Sequence, residues 1–393
     1  MSIARRWIIV TCVGWLLAVC ASPALAALPL GDAGLRTVPG PVLLSVLNVS
    51  ASDRDSHSPA IAARGDQVHV VWEEGTEILH RFLSGGAWSA VRRVAAGEQP
   101  SIVITPDGIV HVIYVNEFGG NFEVYHCRWN GSSWTLPRNV SGTTGVSTAP
   151  SLSASSDGAL HAVWSDNTPG YSVIYGAKWT GAYWTNAPIP NALGGAPMVA
   201  MARDGSPCVV WQDNHWMGGP YDIFCCRLLG TTWSLPENVS DSPGEQSLAP
   251  RAASDGLGTI HVVWEERLSG THTVRVSFGT SGSWSLPESV SAPQSQAYLP
   301  TITIGRGLNV YVGWDEATLA RYRQRSANSV QWTEQTTVAS ATLAIRNLSL
   351  VTDSLGQLHA VWCERTDQGH LNVYYSRLAY VAALPLIVRH QLP

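Results

Sequence analysis

Lysine is almost missing from this chain: of 24 basic residues only Lys178 is a lysine. Lysine-based covalent chemistry therefore has one candidate, and it lies inside the strand-like run VIYGAKW at 173–179. Beyond residue 26 the cysteines are Cys127, Cys208, Cys225, Cys226 and Cys363, an odd number without metal-ligand spacing, so at least one has no partner within the chain. Cys208 with Cys225 or Cys226 is a conceivable cross-strand disulfide; the alternative is small side chains filling gaps between sheets. No later stretch approaches the roughly 20 apolar residues that span a bilayer. No charge run or linker marks a second domain. The net charge of −5 becomes −7 once Arg5 and Arg6 are set aside, which argues against nucleic acid and anionic membranes as partners. No cofactor or metal is expected.

The first 26 residues read as a signal peptide: Arg5 and Arg6, an apolar run from Trp7 to Ala21, then the small-residue cleavage pattern ALA at 24–26. The mature chain is expected to begin near Ala27 and to be secreted. LAVC at 17–20 resembles a lipoprotein signal, but Val19 is bulky for that motif, so lipid anchoring is not expected.

One short phrase recurs seven times: HVVW at 69–72, HVIY at 111–114, HAVW at 161–164, CVVW at 208–211, HVVW at 261–264, YVGW at 311–314 and HAVW at 359–362. The steps between the terminal aromatics are 42, 50, 47, 53, 50 and 48 residues. A strand-rich period of roughly 40–50 residues is the mark of a β-propeller, one blade per repeat. Each of the first six units opens on a proline (Pro59, Pro100, Pro150, Pro197, Pro250, Pro300), with a Gly or Asp-Gly turn between it and the aromatic, giving strands A and B. Strand C follows in segments such as EVYHCRW at 123–129, and strand D is marked by Trp88, Trp134, Trp184, Trp233, Trp284 and Trp332.

The seventh unit lacks a tryptophan-marked strand D, while PVLLSVLNVS at 41–50 ends like RNVS at 138–141 and ENVS at 237–240. The N-terminal segment is therefore expected to complete the last blade and close the ring, leaving no free edge; the alternative is closure by ALPLIVRHQ at 383–391. The expected fold is all-β, a seven-bladed β-propeller of four-stranded blades spanning 41–383. Its blades are near 58–96, 97–145, 146–193, 194–245, 246–295, 296–341 and 342–383 plus 41–50, with a tail at 384–393.

Residues that recur in every blade are expected to serve the blade. His69, His111, His161, His261 and His359, each three positions before the aromatic, are read as interblade packing residues bonded to backbone. Two positions after the aromatic stand Glu74, Asn116, Asp166, Asp213, Glu266, Glu316 and Glu364. Such carboxylates either form a ligand-binding ring on the B–C loop face or cap their turns by accepting backbone N–H groups, the favoured reading. The Asn-x-Ser sequences at Asn48, Asn139 and Asn238 arise from the strand D repeat and need not signal glycosylation.

Specificity is expected where a blade departs from the pattern. The fourth B–C loop, QDNHWMGGPYD at 212–222, offers Asp213, His215, Trp216 and Tyr221 as a surface for stacking on a sugar ring. Arg251 follows Pro250, and Arg346 stands at a comparable place in blade seven. On the innermost strand both guanidiniums would approach the channel mouth, where they suit a carboxylate or other anion, or else pair with the acidic loop residues.

The strand order, the proline-led strand A and the turns GGAW at 85–88, GSSW at 131–134, GAYW at 181–184 and GTTW at 230–233 resemble sialidase-type, BNR-repeat propellers. The family's Asp-box, Ser-x-Asp-x-Gly-x-x-Trp, is kept here in its Gly and Trp. The resemblance implies the scaffold. It would also imply an Arg-Ile-Pro motif, three arginines holding a carboxylate, a Tyr/Glu nucleophile pair and an Asp acid/base. The chain shows no Arg-Ile-Pro motif, seven units instead of six and two such arginines; Tyr374 or Tyr375 could stand as nucleophile. The expected function is binding of an extracellular glycan or cell-surface protein by a monomer through the B–C/D–A loop face, without catalysis. An exo-sialidase or other glycosidase, and a purely structural propeller, are the alternatives.

Overall fold

A computed structural model describes residues 42–43, 45–214, 218–280 and 282–379. The signal-peptide reading of 1–26, the rival closing segment at 383–391 and the tail at 384–393 lie outside the described residues. Seven antiparallel sheets follow one another in a closed ring. Their inner strands A are Ser56–Arg64, Glu98–Ile104, Ser147–Ala154, Gly195–Met201, Gln246–Ser254, Tyr298–Ile304 and Ile345–Thr352. Strands B are Gln67–Glu74, Val110–Phe118, Leu160–Asp166, Pro207–Asp213, Ile260–Leu268, Val310–Glu316 and Leu358–Arg365. Strands C are Glu77–Ser84, Asn121–Trp129, Val173–Trp179, Asp222–Leu229, Thr271–Thr280, Leu319–Arg325 and Leu371–Ala379.

Strand B is apolar without alternation because both of its faces are covered by neighbouring blades. Val70, Val71 and Trp72 have no exposed surface, and the same aromatic position is buried in all seven blades. The apolar residues gather into seven clusters, each shared by two adjacent blades, so the core is a ring of interfaces instead of one centre. A fully buried aromatic of this size removes about 150–250 Å² from water, and truncating one such as Trp72 to alanine is expected to cost about 3–5 kcal/mol.

The prolines do not begin strand A but sit inside it, at a β-bulge. Ser58, Gln99, Ala149, Ala196, Ala249, Leu299 and Asn347 all have left-handed backbone, with φ between 46° and 58°. Each precedes the proline, or Leu348 in blade seven, and there the register with strand B slips. Proline cannot donate to a ladder, so a bulge on an innermost edge strand is a place that accepts it. The chain crosses from one blade to the next through tight backbone approaches. At Gly194, with φ of 111°, a Cβ would lie 2.1 Å from the Gln212 carbonyl oxygen.

At the seam Leu47 pairs with Tyr375 and Asn48 with Tyr374, while Val42–Leu43 pairs with the end of the same strand C. The N-terminal segment thus supplies the outer strand of blade seven. Its NVS ending shows why that triplet recurs. Asn48, Asn139 and Asn238 cap the following turn, accepting N–H bonds from Ala51, Gly142 and Asp241. The valine is buried, and the serine hydroxyl accepts a strand C N–H: Val373 to Ser50, Val124 to Ser141, Ile223 to Ser240.

Candidate functional site

The repeated polar residues serve the scaffold, though not through the bonds expected of them. His69 Nδ1 lies 3.0 Å from His80 Nε2, His111 Nδ1 lies 3.0 Å from His126 Nε2, and His359 Nδ1 lies 2.8 Å from the Tyr375 hydroxyl. Their partners are strand C side chains of the same blade, not backbone, because the diagonal register places the two rings side by side. Cys208 and Cys225 occupy the same slot in blade four, with Sγ atoms 3.0 Å apart and both thiols free. Burial lowers His69 and His111 to about 4 and His126 to about 3, so all three are neutral at pH 7.

The acids two positions after the aromatic also turn inward. Glu316 accepts the Trp314 indole N–H at 2.8 Å, Glu364 that of Trp362 at 3.2 Å and Asp166 that of Trp164 at 3.3 Å. Strand A hydroxyls reach the same carboxylates: Ser56 to Glu74 at 3.1 Å, Ser147 to Asp166 and Ser247 to Glu266 at 2.9 Å. Among the described residues the turn-capping expectation is met in part, by the Thr168 N–H bond to Asp166.

Tyr375 is buried and committed to His359, and burial pushes its phenol up to about 12. Tyr374 stacks on Trp362 with centroids 6.2 Å apart, as Tyr175 stacks on Trp164 and Phe224 on Trp211. Both tyrosines occupy repeat positions of the blade. Asp213 lies half-buried opposite Asp222 at the end of strand B. Tyr221 is half-buried, and its carbonyl accepts the Ser247 N–H of the next blade at 2.7 Å. His215 and Trp216 lie outside the described residues.

The two arginines do not share a place. Arg251 pairs with Val263, the residue before the aromatic, and lines the central channel; Arg346 pairs with Cys363, the residue after the aromatic, and is exposed. The comparison of their positions fails because blade seven has Leu348 where the proline would be, so the true counterpart of Arg251 is Ser349, which faces Val361. Arg346 belongs instead to a cleft of about 390 Å³ on the loop face, and Leu299 lines both cleft and channel.

Four strand ends build this cleft. Blade five contributes Glu265 and Arg267, blade six Tyr298 and Asp315, and blade seven Arg346. Glu265 is buried and accepts from Arg267 Nε at 2.6 Å, His272 Nδ1 at 2.8 Å and the Leu299 N–H at 3.3 Å. His272 packs against Tyr298 with centroids 4.5 Å apart. Asp315 accepts the N–H groups of Asn347 at 2.7 Å and Leu348 at 3.1 Å. Burial raises its carboxyl to about 7, against the pull of those two N–H groups and of Arg346. Both acids follow the strand B aromatic and hold the bulge of the next blade, as Glu73 holds Gln99 at 3.2 Å and Gln212 holds Ala249 at 2.8 Å. Tyr298 and Arg346 stand at equivalent places, two residues before the bulge's second residue, where other blades carry His57, Glu98, Thr148, Gly195 and Leu248. Counting back from the proline would have found Tyr298.

A larger groove of about 650 Å³ runs along blade three, walled by Pro169, Tyr171, Pro188 and Pro190. It is shaped by an unusually long outer strand, Trp184–Leu193, and lacks convergent charged groups. Among the described residues no group of three or more His, Cys, Asp or Glu is placed to hold a metal ion, and no helix is long and apolar enough to cross a membrane.

No protein-family model matches the chain, and no curated protein sequence matches it. Solved structures do resemble it. An ulvan lyase, from a new family of polysaccharide lyase, aligns with TM-score 0.61 at 12% identity over 84% of this chain and 95% of its own. A fungal alcohol oxidase in complex with copper gives TM-score 0.58 at 10% identity over 87% and 76%. A protein of unknown function from Dyadobacter fermentans gives 0.55 at 12% over 87% and 99%. At such identities the likeness is one of fold: this chain is a seven-bladed β-propeller of four-stranded blades, a form that proteins of different chemistry share.

Proposed function

We propose that this protein is exported and binds a glycan or other extracellular ligand through its B–C/D–A loop face, without catalysis. The observation that carries this reading is the cleft, where the exposed Arg346 guanidinium stands with Tyr298 above a buried polar floor. A ring face and a fork of N–H donors are what a saccharide bearing a carboxylate or sulfate would meet. The floor supports binding over hydrolysis: Glu265 and Asp315 already accept N–H bonds from the next blade. Likeness in fold to a polysaccharide lyase is compatible with a saccharide ligand.

One observation favours a sialidase-like or other glycosidase as a second reading. Asp315, raised to about 7 by burial, has the proton affinity of a general acid. A glycan array and a fluorogenic sialoside assay, both on the chain beginning near Ala27, separate the two readings. Binding without turnover, lost in Arg346→Ala, supports the first. Turnover abolished by Asp315→Asn would replace it with the second.

A further inference from the structure

The channel that all seven inner strands enclose is a third cavity, of about 440 Å³. Its lining is rich in donors. Directly after the bulge stand Ser101, Thr301 and Ser349, together with Ser151, whose hydroxyl already donates to Met198 Sδ at 3.0 Å, and Met198 and Arg251 stand at the same level on blades four and five. Ser101 Oγ accepts the Leu152 N–H at 3.1 Å and Thr301 Oγ1 the Leu350 N–H at 3.3 Å, so each hydroxyl keeps its own proton to donate. Gln99 Oε1 accepts the Ala149 N–H at 2.8 Å, leaving its amide N–H groups.

Arg251 is the one charged residue among the described residues that line the channel, and none of them is Asp or Glu. Its Nη1 donates to the carbonyl of its own neighbour Pro250 at 3.0 Å. Burial lowers its proton affinity, with no carboxylate acting against that shift. A half-buried guanidinium among neutral donors is a cation whose counter-charge none of the described lining residues supplies.

We propose that the channel is a binding site for one small oxyanion, a sulfate, a phosphate or the carboxylate of a sugar acid, held by the Arg251 guanidinium with the Thr301 hydroxyl beside it. The site is distinct from the Arg346 cleft and stands whether or not the cleft binds a glycan.

Isothermal titration with inorganic sulfate, inorganic phosphate and glucuronate identifies which source of the anion is taken. At least one should bind saturably at one site per chain. Arg251→Met, which copies the residue blade four carries at this level, should weaken that binding at least tenfold, whereas Arg203→Gln, which removes an exposed arginine outside both channel and cleft, should leave it unchanged. Equal affinity in Arg251→Met, or no saturable binding of any of the three, overturns the proposal. A folding defect in the variant does not rescue it, because wild-type crystals soaked in selenate give an independent reading. An anomalous peak in the channel near Arg251 is expected, and an empty channel at saturating selenate contradicts the assignment.

Discussion

The imidazoles of His69 and His80 are stacked 8° from parallel, with Nδ1 of one 3.0 Å from Nε2 of the other, and both are buried. Two protonated rings could not stay at that distance inside the protein, so the pair requires at least one neutral partner, and burial makes both neutral.

Stability should therefore fall in mild acid. An unfolded histidine titrates near 6.5, whereas burial holds His69, His111, His161 and His261 to about 4. Between those values the unfolded chain binds more protons. The contribution is thus complete above about pH 6.5 and is lost as pH drops toward 4, by up to about 1.4 kcal/mol per pH unit for each histidine. Urea midpoints measured from pH 7.5 to 4.5 should decrease, and less so in His80→Val, which copies Val276 at the equivalent register in blade five. A midpoint constant across that range would contradict the neutral pairs.

Asp166 collects the Trp164 indole N–H, the Thr143 and Ser147 hydroxyls and the Thr168 N–H. Asp166→Ala strands these donors in a buried place and should cost about 2–4 kcal/mol in urea denaturation. Glu364→Ala should cost less, since among the described residues its only such bond is the 3.2 Å contact with Trp362.

The ring depends on its seam. Val49 has no exposed surface, and Ser50 both donates to Asn372 and accepts the Val373 N–H. Val49→Ala and Ser50→Ala should each destabilise by about 1–3 kcal/mol. Removing the chain through residue 50 should bare the edge of the last strand C and produce aggregation visible by size-exclusion chromatography. A monomeric, fully stable truncation would show that the seam is held otherwise.

In the cleft, Arg346→Ala should weaken binding of an acidic glycan at least tenfold, and Tyr298→Ala should weaken acidic and neutral glycans alike. Neither change should move the urea midpoint by more than about 0.5 kcal/mol in stability, because Arg346 is exposed and the Tyr298 side chain is only partly covered. Surface plasmon resonance with array-selected glycans measures the first effect.

Blade number, strand order and the closing segment were legible because each depends on local pattern: apolar strand B, proline-marked strand A, and an NVS ending left over at the front. The deeper meaning of the proline was not legible, since a bulge is a property of two paired strands and the left-handed residue before it varies from Ser58 to Leu299. The recurring histidines and acids were recognisable as scaffold, but the histidine partners lie diagonally across on strand C and the hydroxyls that reach the acids lie on strand A.

By itself the sequence determined a ring of seven blades, because periodic burial on both faces admits little else. Only the tertiary structure decided which departures from the repeat come together. It set Arg251 in the channel and Arg346 in a cleft with Tyr298 and Asp315, separated at Leu299, because a one-residue bulge changes which way every following side chain points.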